Sequence, residues 1–269
     1  MPNSIENRTP GAMPDGDRLS AIERAESPVL LLPNRLPKGL RGVPHRHGRG
    51  QFIYPSKGRF RVQAEHQIWA GSPQQAMWIP SGVVHCVDAL DDLDVHNVYV
   101  RTTEIAGLPE TCKVLNVTPL MRELLMYGRT LSAEDWRRDE NVRILLVITD
   151  LIRLADDLTS IHLPTSNDRR LTPILTSLMD QPDDNRGLED WAAVTNTSAR
   201  TLARLFVQHT GLTFGQWRQR LRVMEALTRL GDGQSVLAVS LDLGYASQSA
   251  FTTMFRKVVG RPPSDFCAK

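Results

Sequence analysis

The segment from Val236 to Pro263, VLAVSLDLGYASQSAFTTMFRKVVGRPP, decides the fold of the C-terminal part of the chain. An apolar helical pattern ends at a glycine and a short turn, and a second helical pattern begins at Ser247, a residue type that favours helix N-termini. In this second pattern Phe251, Phe255 and Val258 share one face, so we expect them to pack inward. The outward face presents Gln248, Ser249, Thr252 and Thr253. The segment therefore predicts a helix-turn-helix unit.

A second unit with the same pattern lies upstream. The short helix predicted over 188–194 is followed by a helix that begins at Ser198 and runs to His209. Its inner face carries Leu202, Leu205 and Phe206, and its outer face carries Arg200, Ala203 and Arg204. The helix predicted between the two units, over 214–230, is about 25 Å long at about 1.5 Å per residue. Such a helix would hold the two outer faces near the ~34 Å spacing of successive major grooves of DNA.

Many residues of this C-terminal part match the signature of a known family. They are Arg222-Val-Met-Glu-Ala226, Val236, Ala238, Gly244-Tyr245, Ser247-Gln-Ser249, Phe251, Phe255-Arg256 and Gly260-Arg-Pro-Pro263. Over roughly 169–267 the chain resembles the AraC/XylS family of transcription regulators. The resemblance implies a bipartite domain whose two recognition helices enter consecutive major grooves. By position it implies base reading by Arg200, Ala203, Arg204, Gln248, Ser249, Thr252 and Thr253, with the stronger readers in the first helix.

Polar outer faces are also found on small helical bundles of any function. Arg218, Arg256 and Lys257 are accordingly either phosphate contacts or solvated surface. The net charge gives mild support for a polyanionic partner. From Ser166 onward, 13 Lys/Arg and 10 Asp/Glu give a net charge of +3, whereas the residues before Ser166 contain 19 Lys/Arg and 20 Asp/Glu, a net charge of −1. The interpretation as a DNA-binding domain therefore depends on the pattern of residues more than on charge.

The N-terminal part of the chain has a different sequence pattern. Short runs rich in β-branched and aromatic residues, separated by Gly and Pro turns, predict a small antiparallel barrel. Helical patterns follow at about 118–128 and 133–157. The predicted divisions of the chain are a mobile tail at 1–26, the barrel at 27–110, a helical dimerisation region at 111–160, a linker at 161–168 and the DNA-binding domain at 169–269.

Histidines within the predicted barrel have a spacing that resembles the cupin family. His45-Arg-His47 and Gln51 lie between two glycines as in the first cupin motif, with glutamine where metal-binding cupins usually have glutamate. Pro80-Ser-Gly82-Val-Val-His85 resembles the core of the second motif. The resemblance covers about 40–90 and implies that His45, His47, Gln51 and His85 converge inside a barrel. The predicted fold class is α+β multidomain: an N-terminal cupin-like β-barrel, two linking helices and a C-terminal all-α double helix-turn-helix domain.

These converging side chains have three interpretations. Three imidazoles and an amide are able to hold a divalent metal, although a neutral amide is a poorer ligand than a carboxylate. They could instead line the pocket of a small-molecule effector, which we favour, or be hydrogen-bonded core groups. Tyr54, Trp69 and Trp78 would add aromatic walls to the pocket or belong to the plain core. No cofactor is certain from the sequence, and a divalent metal in the barrel is the one candidate.

The composition excludes several classes of protein. With 41% apolar and 23% charged residues the chain has no run of about 18 apolar residues, which a membrane span requires. Cys86, Cys112 and Cys267 form no Cys-x-x-Cys pair, which argues against a disulfide framework and a zinc ribbon. The N-terminus lacks the apolar core of a secretory signal. We therefore expect a cytoplasmic protein without a membrane partner.

Together these features predict a sequence-specific transcription regulator without enzymatic activity. An effector in the barrel would control binding to double-stranded promoter DNA. We expect a homodimer, in which one helical stripe faces a partner helix or else packs onto its own barrel. That stripe consists of Leu145, Leu146, Ile148 and Ile152.

The sequence does not distinguish an activator from a repressor. The family resemblance favours an activator of a nearby transporter or metabolic gene, with RNA polymerase as a partner. One alternative is a metal-dependent cupin enzyme carried on a DNA-binding module, against which the missing glutamate counts. Another is a nucleoid-associated protein without sequence preference.

Overall fold

The structure is a computed structural model, and it describes residues 16–73, 75–132, 135–155 and 161–267. The chain divides into two compact units. The first consists of Met1–Glu65 and Gly71–Ser160, and the second consists of His66–Ala70 and Ile161–Lys269. Among the described residues, no helix is both long enough and apolar enough to cross a membrane.

Strands dominate the first part of the chain and helices the second. The strands are β1 (Val29–Leu36), β2 (Gly50–Lys57), β3 (Phe60–Ala64), β4 (Gln67–Gly71), β5 (Gln75–Ile79), β6 (His85–Ala89), β7 (Leu93–Val100), β8 (Lys113–Asn116) and β9 (Leu163–Pro164). The α-helices are α1 (Gly16–Arg24), α2 (Pro119–Gly128), α3 (Asp139–Leu154), α4 (Thr172–Asp180), α5 (Leu188–Val194), α6 (Ala199–Thr210), α7 (Phe214–Gly231), α8 (Val236–Asp242) and α9 (Gln248–Val259). Short 3₁₀ helices lie at Asp135–Arg137 and Pro263–Phe266. The predicted α+β class is confirmed.

Antiparallel pairing builds the first unit. Five strands form one sheet in the order β1-β7-β2-β5-β8, and β3 pairs with β6. In the centre of the sheet Gln51 of β2 lies opposite Tyr99 of β7 and opposite Ile79 of β5. In the second unit β4 pairs with β9, so that Ile68 lies opposite Leu163. The antiparallel sheets expected in the N-terminal part are confirmed.

Alternation along β2 gives its two faces different roles. Phe52 and Tyr54 belong to an apolar core that also contains residues of α2 and α3. Gln51 and Ile53 line a cavity on the other face, because successive side chains of a strand point to opposite sides. A fully buried leucine such as Leu125 of α2 stabilises the apolar core by about 1.5–3 kcal/mol. The two helices thus cover one face of the sheet and leave the cavity face to polar side chains.

Helix α3 packs onto the sheet of its own unit. Leu145, Ile148 and Ile152 are buried in the core shared with β1 and β2, because their spacing of three and four residues places them on one helix face. The prediction that these three face a partner helix is therefore wrong, and the alternative, packing onto their own barrel, describes them. Leu146 lies off that face and is 40% exposed.

Several boundaries differ from the predicted divisions. Residues 16–24 of the predicted tail form α1, in which Ile22 is buried, and residues 1–15 of that tail lie outside the described residues. Strand β8 lies inside the region predicted as helical. The predicted linker contains β9, whose Leu163 is buried in a core of the second unit. Strands of two to four residues carry too little periodicity to be recognised from the sequence.

Two apolar cores support the second unit, and α7 contributes to both. The first core contains Trp191 of α5 and Phe206 of α6, and the second contains Phe251 of α9. Along α7, Leu221 belongs to the first core and Val223 to the second. Because α7 contributes residues to both cores, the two helix-turn-helix units pack against the same helix.

A buried arginine on α7 adds polar contacts to this packing. Arg222 of α7 donates hydrogen bonds to the backbone oxygens of Pro182 at 2.8 Å and Asp184 at 3.2 Å. It also donates to the side-chain oxygen of Asn185 at 2.9 Å. Its guanidinium lies 5.3 Å from the centre of the Tyr245 ring, in the turn of the second helix-turn-helix unit. Arg222 therefore connects the loop before α5 with the turn before α9.

The turn between α8 and α9 requires glycine at position 244. Gly244 has a φ of +77°, in the left-handed region that other residues rarely adopt. A Cβ at this position would also lie 2.9 Å from the backbone oxygen of Asp183. Both the backbone conformation and the close approach of the 183–185 loop therefore exclude a side chain here.

Candidate nucleic-acid interface and barrel pocket

Helix α6 exposes three of the predicted base-reading residues on one side. The helix begins where the Ser198 hydroxyl accepts a hydrogen bond from the backbone N–H of Thr201 at 3.2 Å, and it ends at Gly211, whose φ is +69°. The apolar side is buried and consists of Leu202, Leu205 and Phe206. The opposite side exposes Arg200, Ala203 and Arg204. The helix therefore presents the predicted residues together, away from the core.

One further residue on this exposed side was not predicted. Val207 follows Ala203 by four positions and Arg204 by three, and its side chain is 50% exposed. The Arg204 guanidinium donates a hydrogen bond to the Gln208 side-chain oxygen at 3.1 Å, which holds it along the same side. An exposed aliphatic side chain in a major groove can contact a thymine methyl group. The same three- and four-residue spacing that identified Arg200 and Arg204 would have identified Val207, which lies one helical turn further along.

Helix α9 presents the second predicted set. The Ser247 hydroxyl accepts from the backbone N–H of Ala250 at 3.2 Å, and Phe251 and Phe255 are buried beneath the helix. The outward residues are Gln248, Ser249, Thr252 and Thr253, of which Thr252 is half-buried and the other three are exposed. The Thr253 hydroxyl donates to the backbone oxygen of Ser249 at 3.0 Å, so it offers a base mainly its acceptor oxygen.

Two of the three candidate phosphate contacts are exposed. Arg256 and Lys257 lie in the last turn of α9 and face solvent. Arg218 is half-buried, its guanidinium donates to the backbone oxygen of Arg186 at 3.0 Å, and burial lowers its pKa. Arg218 therefore has a structural role in the second unit, whereas Arg256 and Lys257 are free to approach a polyanion.

In the first unit the predicted histidines and Gln51 converge. His45 and His85 pair through their backbones, with each N–H donating to the other's carbonyl oxygen at 2.9 Å. The Gln51 side-chain oxygen lies 3.0 Å from Nε2 of His47 and 3.0 Å from Nε2 of His85. One ring nitrogen from each of the three histidines falls within 4.8 Å of the others. We call His45, His47, Gln51 and His85 the histidine cluster.

Backbone contacts determine which nitrogen of each ring carries hydrogen. Nδ1 of His45, His47 and His85 lies 3.0, 2.8 and 2.9 Å from the carbonyl oxygens of Val43, Arg49 and Val83 respectively. A carbonyl oxygen can only accept, so each Nδ1 carries a hydrogen and each Nε2 of a neutral ring presents a lone pair. Metal-bound histidines make the same contact, in which the ring N–H that faces away from the metal is donated to a carbonyl oxygen.

The fourth donor is oriented in the same direction. Nε2 of Gln51 donates to the side-chain oxygen of Asn97 at 2.8 Å and to the Tyr99 hydroxyl oxygen at 3.3 Å. With the amide nitrogen engaged in these two hydrogen bonds, the Gln51 side-chain oxygen, an acceptor, points at the imidazole lone pairs of His47 and His85. Acceptors that face one another at 3.0 Å repel. The contact is favourable when a proton or a cation lies between them, or when the amide is turned by 180° so that its nitrogen donates to both rings.

Burial argues against a proton in this position at neutral pH. It lowers the pKa of His47, and it lowers the pKa of His85 to about 3. Both rings are therefore uncharged at pH 7. Three imidazole nitrogens and an amide oxygen that face one another suit a divalent transition-metal ion. The residues present thus fit the metal that the cupin resemblance implies, with glutamine as the departure from the usual carboxylate.

A small cavity adjoins the histidine cluster. Its volume is about 40 Å³, far below the roughly 300–1,000 Å³ of pockets that enclose drug-sized ligands. The lining residues are Arg18, Asn34, Leu36, His45, Gln51, Ile53, Val87, Val95, Asn97 and Tyr99. Burial raises the pKa of Tyr99 to about 12, so its hydroxyl stays neutral. In this conformation the cavity has room for a few atoms beside the cluster.

Two predicted pocket residues lie elsewhere. Tyr54 and Trp78 are not among the residues that line the cavity, because they occupy the opposite face of the sheet and belong to the apolar core beneath α2 and α3. The Trp78 ring nitrogen donates to the backbone oxygen of Pro109 at 2.7 Å. Trp69 falls in the second unit, with its ring 6.1 Å from that of His162. The prediction of aromatic pocket walls was therefore wrong, and the alternative of plain core describes Tyr54 and Trp78.

The polar lining of the cavity includes residues that were not predicted. Val95, Asn97 and Tyr99 follow one another at the two-residue spacing of a single strand face on β7. That alternation was visible in the sequence and could have identified them once Gln51 was placed. Arg18 could not have been found this way, because it lies on α1 in a stretch whose composition predicted a tail.

Both units match known protein families. Residues 37–173 match the family described as AraC-like ligand binding domain, and residues 191–269 match a helix-turn-helix domain. NimR of Escherichia coli (strain K12), an HTH-type transcriptional regulator, is 32% identical over 225 residues, which cover 84% of this chain and 82% of NimR.

Two further similar proteins cover most of the chain. The transcriptional activator RhaS of Escherichia fergusonii is 25% identical over 261 residues, which cover 90% of this chain and 92% of RhaS. Among solved structures, ToxT from Vibrio cholerae is 11% identical with a TM-score of 0.37, covering 88% of this chain and 97% of ToxT. At that TM-score the ToxT match supports no structural argument.

The NimR match spans most of both chains, and the two domain matches fall on the barrel and on the paired helix-turn-helix units that the residues themselves predicted. The chain therefore belongs to the AraC family of transcriptional regulators, with an N-terminal AraC-like ligand binding domain and a C-terminal helix-turn-helix DNA-binding domain.

Proposed function

We propose that α6 and α9 read promoter DNA in two consecutive major grooves. The observation that carries this proposal is a pair of capped helices whose polar sides are exposed while a shared helix, α7, packs behind both. The base-facing residues are Arg200, Ala203, Arg204, Gln248, Ser249, Thr252 and Thr253. Arginine bonds guanine through two hydrogen bonds, and a short hydroxyl reads bases less selectively. Discrimination between sequences is therefore concentrated in the half-site that α6 contacts.

Removal of one arginine tests the base-reading role. Arg204→Ala should lose about 1–3 kcal/mol of specific binding, which is roughly 5- to 150-fold in Kd. Arg153→Ala is the matched control, because Arg153 is exposed on α3 and pairs with Asp150 outside the DNA-binding domain. The measurement is a mobility-shift titration with the upstream region of the gene and with random DNA. Equal affinity for both DNAs would support binding without sequence preference instead.

The cavity and the histidine cluster form the effector site in this proposal. The effector must favour the DNA-competent or the incompetent state, since equal affinity for both would change nothing. An effector bound here contacts His45 and Gln51, which line the cavity, while His47 and His85 lie behind them. The wild-type protein should therefore change its DNA affinity when effector is added, and His45→Ala should respond less without losing basal DNA binding.

The histidine cluster holds a divalent metal ion in our proposal, and the barrel senses rather than catalyses. Among the described residues that line the cavity there is no aspartate or glutamate to act as a general base. Metal analysis of the purified chain and of His47→Ala tests the site, because the variant should lose the metal while its DNA-binding domain stays folded. Substrate turnover by the metal-loaded protein would favour the alternative, a metal-dependent enzyme joined to a DNA-binding module.

A second copy of the chain is the partner we propose for the outward faces of α2 and α3. These faces expose Leu120, Tyr127, Val147 and Leu154, whereas the inner faces are used in the core. Sedimentation velocity should detect a dimer that Val147→Glu dissociates. The control is Arg261→Glu, an exposed position outside α2 and α3. A wild-type chain that sediments as a monomer would remove this assignment.

We also propose that the protein activates a neighbouring transporter or metabolic gene, with RNA polymerase as a partner. The support is the similarity to activators such as RhaS. In vitro transcription from the adjacent promoter should increase when the protein and its effector are added. A decrease would identify a repressor.

A further inference from the structure

The exposed side of α6 divides into an apolar edge and a polar edge. Successive residues of a helix are turned by about 100°, so the exposed residues Ala203 and Val207 lie about 40° apart on one edge. Arg204 and Gln208 lie on the other edge, where the Arg204 guanidinium donates to the Gln208 side-chain oxygen at 3.1 Å. Arg200 lies between the two edges. The hydrogen bond thus draws the long side chain of Arg204 away from the apolar edge.

Val207 lies away from the boundary between the exposed and buried sides of α6. In helical projection it is within about 20° of Arg200, near the middle of the exposed side, and its side chain is 50% exposed. The buried side consists of Leu202, Leu205 and Phe206 and faces the opposite way. Packing into the core of its own unit therefore does not account for an aliphatic side chain at position 207.

The second helix-turn-helix unit has an arginine at the equivalent position. Ser198 and Ser247 cap α6 and α9, and Val207 and Arg256 each lie nine positions after their cap. Arg256 is exposed and is a candidate phosphate contact. A cation at position 207 would strengthen binding to DNA of any sequence, and valine lacks this attraction. The valine is suited instead to a contact with an apolar group of the DNA.

The apolar group that base pairs present in the major groove is the C5-methyl of thymine. We propose that Ala203 and Val207 bind the methyl group of a thymine in the half-site that α6 contacts, beside a guanine bonded by Arg200. This inference rests on the proposed reading of DNA by α6. It adds Val207 to the residues that determine specificity, and it describes the α6 half-site as one that combines guanine with thymine. Burial of one methyl group corresponds to about fourfold in Kd.

Deoxyuridine tests the assignment, because its base lacks only the methyl group of thymine. The upstream region of the gene is synthesised with thymidine or with deoxyuridine throughout, and the Kd of the full-length protein for each DNA is measured by mobility-shift titration at one salt concentration. The wild-type protein should bind the deoxyuridine DNA at least about fourfold more weakly. In Val207→Ser this ratio of Kd values should be about fourfold smaller than in the wild type. Thymine contacts made elsewhere contribute equally to both ratios and cancel in the comparison.

Two further variants serve as controls. Val194→Ser makes the same exchange at a valine of α5 that is 61% exposed, and its ratio of Kd values should equal that of the wild type. Val207→Arg copies the residue of the second unit, so it should bind random DNA more tightly, depend more steeply on salt and lose the preference for thymine. An unchanged midpoint of urea unfolding shows that each variant keeps its fold.

Either of two results would overturn the inference: equal Kd values of the wild type for thymidine and deoxyuridine DNA, or the same ratio of Kd values in the wild type and Val207→Ser. Titration of random thymidine DNA separates this failure from failure of the proposed function. If the wild type still binds the upstream region more tightly than random DNA, the thymine assignment alone is lost. If it binds both equally, the proposed reading of promoter DNA fails and the inference fails with it.

Discussion

The Arg222→Ala substitution is expected to destabilise the DNA-binding unit by about 2–4 kcal/mol, an order-of-magnitude figure for three hydrogen bonds from a charged group at roughly 1.5–3 kcal/mol each. The three are made to Pro182, Asp184 and Asn185 at 2.8, 3.2 and 2.9 Å. The expected loss is smaller than the sum of the three hydrogen-bond energies for two reasons. The three bonds are not independent, and burial of the charged guanidinium costs desolvation free energy that offsets part of their contribution. The loss also separates the loop before α5 from Tyr245.

Urea unfolding followed by tryptophan fluorescence measures this loss, since Trp191 and Trp217 both lie in the first core of the same unit. Arg261→Ala is the control, because Arg261 pairs with Asp265 on the surface and its removal should change stability by no more than about 0.5 kcal/mol. An Arg222→Ala protein that unfolds as late as the control would refute the role of Arg222 as a connection between the two helix-turn-helix units.

Three other predictions concern single positions. Gly244→Ala should destabilise the DNA-binding unit more than Gly233→Ala does in the same unfolding assay, because both have positive φ but only position 244 has a backbone oxygen 2.9 Å from the new Cβ; equal losses would show that the contact relaxes. Ser198→Ala should cost about 1 kcal/mol of stability through loss of the α6 cap, and an unchanged urea midpoint would contradict this role. Burial lowers the pKa of His96 from 6.5 to about 4, so the unfolded chain binds more protons between these values and stability should fall as pH drops from 6.5 to 4. His96→Gln should flatten that dependence in urea titrations at successive pH values, and an unchanged pH profile would exclude His96 as its source.

Helices α6 and α9 were predictable because their sequence signals are strong and local. Ser198 and Ser247 mark the starts, and apolar residues at helical spacing define the buried side of α6 and α9. The outward residues then follow by geometry alone. The histidine cluster was predictable for a different reason: the spacing of His45, His47, Gln51 and His85 carried a family resemblance, and the structure brings these side chains together.

The remaining features depend on tertiary contacts that a local pattern does not contain. Alternation shows that Phe52 and Tyr54 share a face, but it does not show which face is covered by helices, and Tyr54 was placed on the wrong one. The same ambiguity affected α3, whose apolar stripe fits either a partner or its own sheet. Arg18 reaches the cavity from a stretch rich in proline and glycine, where composition gave no sign of a helix.

If α6 and α9 read two consecutive grooves as proposed, helix α7 has a consequence for how target sites can evolve. A regulator with a flexible tether between its reading elements tolerates spacers of several lengths, whereas here the two elements are fixed on opposite sides of one buried helix. Each base pair added between the half-sites turns one of them by about 35° around the DNA axis, since a turn holds roughly 10–10.5 base pairs. The promoters that this protein recognises should therefore differ from one another by substitution of bases, and insertions or deletions between the half-sites should be rare among them.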